Sequence, residues 1–77
     1  MNTDQNKWVS RRWQRETRYY EAHLKKDLFG WVVVRNWGGI GLRAGQRISI
    51  PVINYQEGLL KLEEIMQVRK QRKYSLC

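Results

Sequence analysis

The chain has 77 residues, and its fifteen Lys and Arg against seven Asp and Glu give a formal net charge of +8. At 42% hydrophobic and 12% aromatic it is too apolar for a disordered tail, yet too short for a second domain, a deep substrate cavity or most multi-residue catalytic machinery. Such a chain buries roughly 60% of its unfolded surface and reaches about 3–5 kcal/mol of stability unless a partner adds to it, so a binding module is expected.

Residues 1–7 are polar, read as a flexible tail, and lack the basic-then-apolar pattern of a signal peptide. The longest apolar run, Trp31-Val32-Val33-Val34, falls far below the roughly 20 residues of a membrane span, and no membrane partner is expected. Cys77 is the single cysteine, which excludes an internal disulfide and a thiolate metal cage and suits a reducing cytoplasm. No cofactor, metal or small-molecule substrate is expected.

Trp8 to Trp13 mixes aromatic, β-branched and basic residues and is a first candidate strand. Arg18 to Leu24 alternates, with Tyr20, Ala22 and Leu24 on one face and Tyr19, Glu21 and His23 on the other. Lys26-Asp27-Leu28-Phe29-Gly30 reads as a turn. Trp31 to Trp37 is the strongest strand, and its valine run predicts burial on both faces. Of the four tryptophans at least two are expected in the core, Trp31 first, because it shares a face with Val33. Glycines 38, 39 and 41 break the strand, and Gln46 to Val52 forms another, with Ile48, Ile50 and Val52 inward and Pro51 marking an edge or a strand end.

The last element is a helix. Asn54 is placed to cap it with Glu57 three residues on, and Tyr55, Leu59, Leu62 and Met66 follow at helical spacing. Arg69, Lys70, Arg72 and Lys73 close it, where positive charge suits the helix dipole. The predicted fold is α+β, a meander of about four antiparallel strands with one C-terminal helix packed across it. The domain spans residues 8–74, and residues 75–77 read as a tail.

Catalytic patterns are absent along the chain. Gly39-Ile40-Gly41-Leu42-Arg43-Ala44 fits a dinucleotide fingerprint formally, but a strand pattern follows it where a helix is required. His23 is the only histidine, the serines Ser10, Ser49 and Ser75 show no spacing to it that suggests a nucleophile–base pair, and the adjacent Glu63 and Glu64 make a poor acid–base couple. No enzyme is expected.

Aromatic rings interleaved with arginine are the positive signal. Trp8, Arg11, Arg12, Trp13, Arg15, Arg18, Tyr19 and Tyr20 form one group, and Arg35, Trp37, Arg43 and Arg47 a second, inside an acid-free stretch from residue 28 to 53. Cations release counterions from phosphates and flat rings stack on bases or sugars, so nucleic acid is the expected partner, DNA ahead of RNA. The candidate contacts are Trp37, Arg35, Arg43, Arg47, Arg18, Arg69, Lys70, Arg72 and Lys73. The same aromatics also suit a protein interface, which leaves an adaptor or homodimer as the alternative.

Arg18-Tyr19-Tyr20-Glu21-Ala22-His23-Leu24, Asp27-Leu28-Phe29-Gly30-Trp31, Val34-Arg35-Asn36-Trp37-Gly38-Gly39-Ile40-Gly41 and the basic end running to Tyr74 together resemble the WGR domain family. The likeness covers residues 8–74 and implies an antiparallel sheet crossed by one helix. The family occurs in DNA-dependent poly(ADP-ribose) polymerases and in many bacterial proteins. In the polymerases it binds DNA near strand breaks, with the motif tryptophan against the sugar at the DNA end. The matching residue is Trp37. The motif arginine has no counterpart, because Gly39 stands there, and a bidentate phosphate grip is lost with it.

Overall fold

The computed structural model describes residues 7–42 and 45–76. Four strands, β1 (Val9–Arg15), β2 (Arg18–Asp27), β3 (Gly30–Gly39) and β4 (Gly45–Pro51), precede helix α1 (Tyr55–Gln71) and a short β5 (Ser75–Leu76). They form one antiparallel sheet in the order β4-β3-β2-β1-β5. The α+β class with one helix on an antiparallel sheet is as expected. A short fifth strand adds to the expected four: Ser75 and Leu76 pair with Gln14 and Trp13 and occupy part of the free edge of β1, while Cys77 lies outside the described residues.

Strand alternation places the core. Tyr20, Ala22 and Leu24 of β2 are buried, as their spacing predicts, and Val33 joins Leu24 among the most deeply buried side chains. Val32, Val33 and Val34 are all buried, with β3 flanked by β2 and β4, and Val33 belongs to the core cluster with Leu24 and Leu62. β4 differs from expectation. Ile48 is exposed and Ile50 and Val52 only half-buried, since α1 packs mainly on β2 and β3. Pro51 does sit at the end of the edge strand, where a missing N–H costs no ladder bond.

Asn54 caps α1, its side-chain oxygen accepting from the Glu57 N–H at 2.9 Å, while the Glu57 carboxylate accepts from the Ile53 N–H at 2.7 Å. The buried stripe is Tyr55, Gly58, Leu62, Ile65 and Arg69 rather than one through Leu59 and Met66. Gly58 sets that phase: a Cβ there would collide with the Leu24 side chain, so the backbone of α1 rests directly on β2. Lys73, at φ 65°, turns the chain off the helix, and Tyr74 donates its N–H to the Arg69 carbonyl at 2.9 Å.

The deeply buried tryptophan is Trp13, at 2% exposure, not Trp31. Trp13 lies between Tyr20 of β2 and Leu76 of β5, whereas Trp31 lies at the start of β3, half-buried and edge-on to Tyr55 at 4.9 Å.

Candidate nucleic-acid interface

One end of the sheet gathers Trp37 and several cations. The β1–β2 hairpin turns at Glu16 and Thr17, bringing Arg15 opposite Arg18, and β3 ends with Gly39 opposite Arg18. The segment after β3 folds back on this hairpin, with the Ile40 N–H donating to the Thr17 carbonyl at 2.7 Å. The result is an open cleft of about 610 Å³ lined by Arg18, Tyr19, Trp37, Gly39, Leu42 and Tyr74, among others.

Trp37 is half-buried, stacked on Tyr20 with ring centroids 5.7 Å apart and planes at 12°. Tyr20 therefore fixes the ring that lines the cleft. Arg35 lies over both rings, 5.5 Å from the Tyr20 centroid and 5.7 Å from that of Trp37, and its Nε–H donates to the Tyr20 hydroxyl. Gly39 lines this cleft. A Cβ there would lie 2.6 Å from Leu42 Cδ1, so Leu42 fills the adjacent space with an apolar side chain.

The end of α1 reaches the same region, for Arg15 Nη1 donates to the Arg72 carbonyl at 3.0 Å. Arg15, Arg18, Arg72 and Lys73 are all exposed there. Trp37, Arg18, Arg72 and Lys73 were expected contacts. Arg15 was grouped with the aromatics but not singled out, because the hairpin register that sets it beside Arg18 is not visible as spacing. The other expected contacts are dispersed. Arg69 turns inward, 8% exposed, its guanidinium 4.0 Å from the Tyr20 centroid and 4.9 Å from that of Tyr74. Lys70 is exposed on the last turn of α1. Arg47 pairs with Asn36 in register and lines a different cleft, together with Trp8, His23 and Lys25. Arg43 lies outside the described residues.

The sheet face away from α1 carries a polar network. Arg12 forms an ion pair with Glu21 and lies 4.9 Å over the Tyr19 ring. His23 Nδ1 is 2.9 Å from Ser10 Oγ and its Nε2 3.3 Å from Glu21 Oε1. The serine–histidine contact is invisible in the linear spacing and is created by the register that sets Ser10 opposite His23. Burial works to raise the Glu21 pKa, but hydrogen bonds from His23 and Arg12 and the Arg12 charge hold it below its ordinary value. Because Arg12 shares the Glu21 carboxylate, that carboxylate is divided between Arg12 and the His23 ring on a water-accessible sheet. That geometry favours cross-strand stabilisation over nucleophile activation.

No protein-family model matches the chain, and neither a curated protein nor a solved structure does. Among the described residues there is no group of His, Cys, Asp and Glu that could hold a metal ion, and no helix is long and apolar enough to cross a membrane.

Proposed function

We propose that the chain is a non-enzymatic, WGR-like nucleic-acid-binding module that engages duplex DNA at or near an end with little sequence preference. The observation that carries this reading is the meeting of the Trp37 cleft with four exposed cations, Arg15, Arg18, Arg72 and Lys73, at one end of the sheet. The cations bind phosphates by releasing counterions, and the apolar wall offers a surface for a terminal sugar or base. Such a wall presents few donors or acceptors to distinguish base pairs, so sequence preference is weak. With Gly39 in place of arginine, binding rests on Trp37 and the rim.

The test is fluorescence anisotropy with labelled blunt duplex, nicked duplex, closed duplex and single strand at two salt concentrations. Four neutralised phosphates give a log–log salt slope of about −3.6. Trp37→Ala is expected to weaken end binding about fivefold or more while leaving closed duplex nearly unchanged. Equal loss on both substrates sinks end recognition, and no salt-sensitive binding to any of them overturns the whole reading.

A specific observation favours a protein-interaction adaptor as the second reading. At the opposite end of the β2–β3 hairpin, Leu28 and Phe29 are 98% and 96% exposed. Their turn is held by Asp27 Oδ1, which accepts from the Phe29 N–H at 2.8 Å. Light scattering at micromolar concentration, with thiols reduced, tests the homodimer form of this reading. A salt-resistant dimer lost in Phe29→Ser supports it, and a clean monomer removes it.

A further inference from the structure

A second cleft, of about 170 Å³, lies between α1 and the β3–β4 side of the sheet, lined by Tyr20, Arg35, Lys61, Glu64, Ile65 and Arg69 among others. It is distinct from the Trp37 cleft, and its charge is unbalanced. Arg35 and Arg69 both lie within 5.5 Å of the centre of the Tyr20 ring, and among the described residues neither has an ion-pair partner. Glu64, an acid in the lining, is 3.6 Å from Lys61 Nζ and 70% exposed in its side chain. It offsets one of the three cations and leaves two guanidinium groups uncompensated.

Arg69 makes the imbalance costly. The residue is more than nine-tenths buried and its Nε–H has no acceptor. The faces of Tyr20 and Tyr74 offset part of the desolvation of the charge but accept no N–H hydrogen bond in the guanidinium plane. A buried cation of this kind calls for a counterion, and a planar five-donor group suits an oxyanion, which accepts two bonds in parallel.

We propose that this cleft binds a single compact oxyanion, of the phosphate or carboxylate type, gripped by Arg35 and Arg69 with the ammonium of Lys61 at its mouth. The cleft falls below the about 300–1,000 Å³ of sites for drug-sized ligands, so one oxyanion group fits better than a whole nucleotide. The bound anion supplies the counter-charge that the protein does not and ties α1 to β3 through Arg69 and Arg35. The site does not depend on the Trp37 reading, since none of the four rim cations lines it.

The experiment is a titration of the full chain with inorganic phosphate and, in a second arm, with acetate, at ionic strength held constant with chloride. The arginine Nε–H signals are followed by nitrogen–proton correlation NMR, and the exposed Trp8 indole serves as the control. Saturable movement of the Arg35 and Arg69 signals with a still Trp8 is the expected result. The arm that produces it names the group: phosphate alone assigns a phosphate site, and acetate as well assigns a general carboxylate and phosphate site. Arg35→Gln is expected to weaken the affinity at least about tenfold. Lys61→Gln, at a half-exposed position where folding is not at stake, should weaken it about threefold. A linear drift shared by Trp8, or wild-type affinity in both variants, overturns the proposal.

Discussion

Tyr19 and Tyr20 are neighbours in β2, point to opposite faces of the sheet, and each carries a guanidinium over its ring, yet the two faces treat that charge differently. On the open face Arg12 lies over Tyr19 and is paired with Glu21, which also reaches His23. On the face covered by α1, Arg35 and Arg69 lie over Tyr20 and no carboxylate of the described residues pairs with either. The wet face, where a charge needs a partner least, has the ion pair, and the drier face does without one. The covered face thus holds two guanidinium groups without a carboxylate partner, and both line the cleft proposed to take an oxyanion.

The sharpest way to break this contrast is to remove each tyrosine in turn. Tyr20 touches Trp13, Trp37 and Tyr74 as well as both arginines. Tyr20→Ala is expected to cost about 3–5 kcal/mol, enough to unfold so small a domain in a urea titration. Tyr19→Ala should cost about 1 kcal/mol, and equal losses would remove the distinction between the faces.

Gly58→Ala probes how closely α1 must lie on the covered face. Crowding against Leu24 is expected to cost about 1–3 kcal/mol, more than the gain of up to about 1 kcal/mol in helix propensity, so thermal unfolding should show net destabilisation.

Glu21→Gln tests the open face. The Glu21 pKa is lowered in the folded state, so its ionised form stabilises the fold above the ordinary value of 4.5, and that contribution is lost as pH falls through the lower folded value. The variant should be less stable than the parent by about 0.2–1 kcal/mol at pH 7, and the gap should close in acid, as followed by chemical denaturation across pH. A constant gap would mean that Glu21 acts by packing rather than by charge.

The smallest expected effect sharpens the site assignment. Arg47 lies away from the Trp37 cleft, so Arg47→Ala should change DNA affinity less than twofold, against about threefold or more for Arg72→Ala at low salt.

Much of the scaffold was legible along the chain, because its signals are local. The alternation of β2, the valine run of β3, the Asn54 cap and the proline at the end of β4 each reflect backbone geometry within a few residues. The candidate site was legible only in part. Trp37, Arg18, Arg72 and Lys73 meet at one end of the sheet, while Arg69 and Arg47 share their residue type but not their place.

Composition and periodicity by themselves determined a small basic α+β domain, its principal strands, its helix, and the face of β2 that is buried. Only the tertiary structure decided which tryptophan fills the core, which stripe of α1 is covered, that Ile48 is left outside, and that Ser10 meets His23. Those outcomes depend on register and on the few strands one 17-residue helix can cover. Both are set by contacts such as Gly58 on Leu24 that join residues far apart in the chain, where no local pattern reaches.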